Sequence, residues 1–126
     1  MSMIIAIAIG GAAGAVGRHF VNIGMASLLG HGFPWGTLTV NVVGSLIMGL
    51  LVHLMAVSWT VSPEMRALLT VGGLGAFTTF STFSLDAVVL YERGAIGAAA
   101  IYVIVSVVAA IGALFLGLRL GRMLFV

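Results

Sequence analysis

Apolar residues fill four stretches of this chain with few interruptions, and short polar joints separate them. The first runs from about Met3 to Leu29, and the second opens after Pro34 and runs to about Val57. The third opens at Pro63 and ends near Tyr91, and the fourth runs from Gly94 to Gly121. Crossing a hydrocarbon layer takes about 20 apolar residues at a rise of 1.5 Å each, and every stretch meets that length. Pro34 suits the first turn of a helix. Glu64, directly after Pro63, puts a favourable charge at the start of the third helix. The joints are His31 to Trp35, Ser58 to Ser62 and Glu92 to Gly94. Trp35, Trp59 and Tyr91 lie at these joints, where amphipathic rings anchor to the headgroup layer. The pattern predicts an all-α integral membrane protein, one four-helix domain over residues 1–126.

Composition strengthens this reading. The chain is 62% hydrophobic and only 6% charged, with a mean hydropathy of +1.31. A soluble domain carries about 25% charged residues, so this chain lacks the polar surface to stay dissolved and takes the lipid bilayer as its solvent. Eighteen glycines against two prolines fit helices packed until their backbones touch. With no cysteine, disulfides and thiolate metal sites are excluded. The first charge, Arg18, follows the first apolar run rather than preceding it, so that run reads as a retained span and not as a cleaved signal peptide.

Charge adds little beyond orientation. The net charge is +2, but Arg18, Arg66, Arg93, Arg119 and Arg122 are scattered, and no basic patch offers itself to nucleic acid. Four spans place both termini on one side, together with Arg66, Arg119 and Arg122, against Arg93 on the other. Topology follows the basic bias of short loops, and three against one is weak. Such a chain can insert both ways up, which permits an antiparallel dimer without demonstrating one. Gly10-xxx-Gly14 and Gly117-xxx-Gly121 supply flat faces for close helix contact, within one subunit or between two.

Polar residues inside the spans are costly unless they pair or line a cavity, so their positions carry the chemistry. Thr37, Asn41 and Ser45 recur every four residues and share a helical face. The Asn41 amide offers two N–H donors, for an anion or for an interhelical hydrogen bond. The third span contains GGLGAFTTFSTFS from Gly72 to Ser84. Glycine costs about 1 kcal/mol relative to alanine inside a helix, so Gly72, Gly73 and Gly75 invite a break at mid-membrane. Close packing against a neighbouring helix is the alternative use of the same cluster. A break frees carbonyl oxygens that lipid cannot satisfy, a hard-oxygen site suited to a bare cation such as Na⁺. Phe77, Phe80 and Phe83 interleave with Thr78, Thr79, Ser81 and Thr82. Ring edges are electron-poor and can attract an anion without formal charge, although such stripes also serve plain packing. Tyr102 and Ser106, four apart on the fourth span, extend the hydroxyl-bearing set. Arg18 either raises the potential at a pore mouth or snorkels to the interface.

These segments, with GGAAGAVGRH at Gly10 to His19 and GTLTVNVVGS at Gly36 to Ser45, resemble the Fluc (CrcB) fluoride channels over nearly the whole chain. The resemblance implies an antiparallel dual-topology homodimer in the bacterial inner membrane, with two fluoride pores lined by both subunits. It implies Phe80 and Phe83 as ring-edge ligands for fluoride and Asn41 as the pore-facing amide donor, with Thr37 on the same face. Ser81 and Thr82 then form the adjacent hydroxyl face, and Tyr102 and Ser106 a polar track. Gly75 and Thr78 would give backbone carbonyls to a structural Na⁺ at the dimer centre. Ala110 stands where some members carry a hydroxyl, which suggests a shorter track. Asp86 stands where Glu is usual, and His19 where Tyr or Phe is common.

Two other classes stay open. A small dual-topology proton-coupled multidrug exporter has similar dimensions, but its chemistry calls for an embedded carboxylate, and the first span has none. A passive packing subunit of a larger complex would conduct nothing by itself. An enzyme is not expected, because His19, His31 and His53 lack metal-ligand spacing and no nucleophile–base arrangement is visible.

Overall fold

The computed structural model describes residues 2–125, and among these every regular element is helical. Helix α1 spans Met3–Leu29 and α2 spans Trp35–Val57. The third span is composite: α3 at Pro63–Ala67, a π-helical stretch at Leu68–Leu74, α4 at Gly75–Phe77 and α5 at Phe80–Glu92. Helix α6 spans Ile96–Leu124. All four spans are long and apolar enough to cross a membrane, and the protein is multi-pass.

The ends of the helices follow local rules. The Ser2 hydroxyl accepts the Ile5 N–H at 3.2 Å, and the Ser62 hydroxyl accepts the Met65 N–H at 3.1 Å. Each satisfies one of the donors that a first turn leaves orphaned. Pro63 stands in the first turn of α3, followed by Glu64, as expected. Pro34 stands just before α2 rather than inside it. The joints after α1 and α5 turn through Gly30 and Gly94, both at φ +83°, a region closed to most side chains.

Two seams hold the bundle together: α2 packs along α6, and α1 along the π-helical stretch. Both are backbone against backbone. A Cβ on Gly10 would overlap the Leu68 carbonyl oxygen, and one on Gly14 would overlap that of Gly73. From the other side, a Cβ on Gly72 would lie 2.6 Å from the Ile7 carbonyl oxygen. In the second seam, Gly49 faces the Leu114 carbonyl and Gly117 the Leu46 carbonyl, while a Cβ on Gly121 would lie 2.8 Å from the His53 ring. Lipid is as apolar as leucine, so contact area and close approach, not water exclusion, drive such association. Large side chains such as Ile4, Val108 and Phe115 accordingly remain exposed.

The expected break in the third span exists, but not at the glycine cluster. Gly72 and Gly73 lie within the π-helical stretch and are used for close approach to α1. The chain leaves helical geometry at Thr78 (φ −87°, ψ 160°) and Thr79 (φ −155°, ψ 124°), both extended. Of the two uses open to those glycines, packing is the one the fold makes.

Candidate functional site

The interruption at Thr78–Thr79 brings most of the polar residues of the spans together. Thr79 is the N-cap of α5, and its Oγ1 accepts the Thr82 N–H at 3.1 Å. Its own N–H, which in a continuous helix would reach the Gly75 carbonyl, donates instead to Asn41 Oδ1 at 2.8 Å. The Asn41 Nδ2 donates in return to the Thr79 carbonyl at 3.0 Å. A backbone N–H only donates and a carbonyl only accepts, so the orientation of this amide follows from its partners. Gly44, one turn along α2, has no side chain because the Thr78 methyl occupies that space.

The break also changes the supply of carbonyls. The ordinary i+4 donor of Gly75, Thr79 N–H, is diverted to Asn41, and that of Thr78, Thr82 N–H, is diverted to the Thr79 hydroxyl. Thr78 itself closes α4 normally, with its N–H at 3.0 Å and its hydroxyl at 2.8 Å from the Leu74 carbonyl. Two backbone oxygens, those of Gly75 and Thr78, have therefore lost their usual donors at mid-span, on a chain whose Gly75 is exposed.

Two cavities flank the interruption. One, a groove of about 410 Å³, is lined by Asn41, Ser45, Thr78, Phe80, Phe83 and Ser106 among others. Ser106 is 5% exposed, and its buried hydroxyl has no hydrogen-bond partner among the described residues. Of the Asn41 amide, one N–H is taken by Thr79 and one is left over. The lining of this groove therefore combines uncharged hydrogen-bonding groups with the rings of Phe80 and Phe83. The other cavity, about 280 Å³, is lined by Thr37 and Thr82 together with Asn22, His31, Asp86 and Arg93.

Tyr102 is fully buried, with its hydroxyl donating to Asp86 Oδ2 at 3.1 Å. Its ring lies 5.2 Å from that of Phe83 and 5.4 Å, edge-on, from that of Phe33. Phe83 in turn meets Phe80 at 5.5 Å with an interplanar angle of 60°. Aromatic pairs prefer such tilted geometry, and the rings form one continuous row.

Of the residues singled out in the sequence, Asn41, Phe80, Phe83, Thr78 and Ser106 converge on the first cavity, and Thr37 and Thr82 on the second. Tyr102 lines neither, but touches Phe83 of the first and Asp86 of the second. Ser81 is exposed, with its hydroxyl 3.4 Å from that of Thr79. Phe80 is 77% exposed on the isolated chain. Two residues do more than their place in the sequence shows. Thr79 reads in the sequence as one hydroxyl among several, yet it is the cap on which the interruption turns. Asp86 stands out in the sequence only as a departure from the family pattern, yet it holds the Tyr102 hydroxyl. Helical spacing carried the signal, because Thr79, Thr82, Phe83 and Asp86 fall on one face at intervals of three and four.

This fold and groove define a compact helical membrane protein with an uncharged donor-lined recess at a broken helix. Residues 5–118 match the family model for CrcB-like protein, Camphor Resistance (CrcB), and the chain belongs to that family. It is 55% identical over 122 residues to the fluoride-specific ion channel FluC of Rhodospirillum centenum, covering 97% of each chain. The fluoride-specific ion channel FluC of Agrobacterium fabrum is 54% identical over 125 residues, or 99% of this chain and all of the relative. The fluoride-specific ion channel FluC 1 of Nitrobacter hamburgensis is 49% identical over 123 residues, 98% of each.

Proposed function

We propose that this protein conducts fluoride passively out of the bacterial cytoplasm, as an antiparallel dual-topology homodimer in the plasma membrane with two pores lined by both subunits. It is a channel and not an enzyme. The observation that carries the reading is the groove beside the broken helix, which sets the rings of Phe80 and Phe83 among uncharged hydrogen-bonding groups, in a chain about half identical to proteins named as fluoride-specific channels. Fluoride is small and strongly hydrated, so it passes only where compact donors replace its water without trapping it. The Phe80 and Phe83 edges, the remaining Asn41 N–H and the Ser106 hydroxyl meet that need. Ser81, Thr82, Thr37 and Tyr102 continue the polar route. A ring as exposed as Phe80 finds its cover in a second copy, which supports pores shared between subunits.

The same break suits a structural Na⁺ at the dimer centre. The Gly75 and Thr78 carbonyls have lost their helical donors, and carbonyl oxygen is the hard ligand that a sodium ion takes. When bound there, the cation would balance the two carbonyl dipoles and tie the subunits together.

The test is fluoride efflux from liposomes holding the purified protein, read with a fluoride electrode beside a chloride control. Fluoride release with chloride retained is expected. Phe80→Ile and Phe83→Ile should each cut the fluoride rate at least about tenfold, the effect of losing some 1.4 kcal/mol of barrier stabilisation, while the dimer stays folded. Wild-type flux in both variants would remove the ring-edge assignment. Export of organic cations driven by a proton gradient would favour the exporter class instead.

A further inference from the structure

We infer that Asn41 acts as the positioning residue of the broken helix, its amide clasping the Thr79 backbone so as to hold the break open. The clasp has two points, Thr79 N–H to Oδ1 at 2.8 Å and Nδ2 to the Thr79 carbonyl at 3.0 Å. Thr79 is the residue at which extended backbone turns back into helix, and Phe80 is its direct neighbour in α5. Helical geometry offers the Thr79 N–H one acceptor along the chain in place of the amide, the Gly75 carbonyl. Donating to it would wind the interruption back toward helix, rotate the start of α5 and carry the Phe80 ring with it. One side chain on α2 thereby keeps the Gly75 oxygen open and sets where the Phe80 edge points.

This role is separate from donating to an anion, which would use the second N–H. The hydrogen-bond pattern makes the two separable, because a neutral carboxyl has the same one-donor, one-acceptor face as the clasping half of the amide. Asn41→Asp in its acid form restores both contacts to Thr79 and supplies no further hydrogen. None of the residues lining the groove is titratable. The nearest such pair, Asp86 and Tyr102, is held together at the neighbouring cavity.

The experiment places 4-fluorophenylalanine at position 80 and follows its fluorine resonance in fluoride-free buffer. Wild type should give one line that does not move with pH. Asn41→Asp should give a displaced line at alkaline pH that returns to the wild-type position as the carboxyl protonates. Asn41→Ser, too short to reach both Thr79 groups, should give a displaced or split line at every pH. Should Asn41→Ser not fold, the Asn41→Asp titration decides alone. An Asn41→Asp line that stays displaced at acid pH, or a wild-type line in Asn41→Ser, would overturn the proposal and leave Asn41 a pore donor only.

A second reading rests on the sodium site proposed above. Replacing N-methylglucamine by Na⁺ should raise the Tm of wild type and fail to raise that of Asn41→Ser, whose Gly75 oxygen is taken. A full sodium response in Asn41→Ser would contradict the clasp. No response in wild type would remove the sodium site and leave the fluorine line to judge the clasp.

Discussion

The glycine seam between α1 and the π-helical stretch and the threonine joint at Thr78–Thr79 lie a few residues apart in the same span, and they solve opposite problems. In the seam, Gly10 and Gly14 let the Leu68 and Gly73 carbonyls approach until no side chain fits between. Backbone hydrogen bonding there stays inside the helix and merely loosens to π register. In the joint, helical bonding stops, and the orphaned groups go to side chains: Thr79 N–H to Asn41, Thr82 N–H to the Thr79 hydroxyl. In this membrane protein glycine serves proximity, and hydroxyls with one amide serve interruption. The residue type usually blamed for breaking helices is not the one that breaks this one.

The most severe way to break the contrast is to put a side chain into the seam. Gly14→Val drives a methyl group into the Gly73 carbonyl oxygen, which is backbone and cannot swing aside. Overpacking of a rigid contact costs about 1–3 kcal/mol and sometimes more, and the expected result here is loss of monodisperse protein on size exclusion. Gly11→Ala is the matched control, since nothing lies within 4 Å of its added carbon and its elution should be unchanged. If Gly14→Val folded as well as Gly11→Ala, the seam would not be the close contact described.

A milder change tests the joint. Thr79→Val keeps the backbone groups that Asn41 holds but deletes the hydroxyl that caps α5. Losing such a cap costs about 1 kcal/mol, so a drop in Tm of a few degrees is expected, with recovery in Thr79→Ser. A loss as large as that of Gly14→Val would mean that the joint, rather than the seam, limits folding.

Much of this was legible in the residues alone, and the failures are instructive. Span lengths, joints and the aromatic residues at them follow from hydropathy, a property of local sequence. The grouping of Asn41 with Phe80 and Phe83 needed the resemblance to a family, because Asn41 and its partner Thr79 are 38 positions apart. The break was expected at Gly72–Gly75 because intrinsic propensity disfavours glycine in helices. What overrides propensity is tertiary: those glycines face Gly10, Gly11 and Gly14 of α1, a complementarity invisible from one span. The Tyr102–Asp86 bond was missed for the same reason, since neither residue's own helix shows that the other is opposite.

The smallest expected effect sharpens the meaning of an open glycine. Gly112 lies mid-way along α6, and an added carbon there meets nothing within 4 Å. On helix propensity alone, Gly112→Ala should be neutral or stabilising, by at most about 1 kcal/mol, and thermal melting should show Tm unchanged or slightly raised. Its neighbour Ile111 lines the groove beside Phe80, the face proposed to receive a second copy. A glycine that is open in one chain yet intolerant of alanine would therefore be closed by the partner. Unchanged Tm with a reduced dimer fraction would extend the seam principle from within the subunit to the contact between subunits, and an unchanged dimer would confine it to the two seams inside the chain.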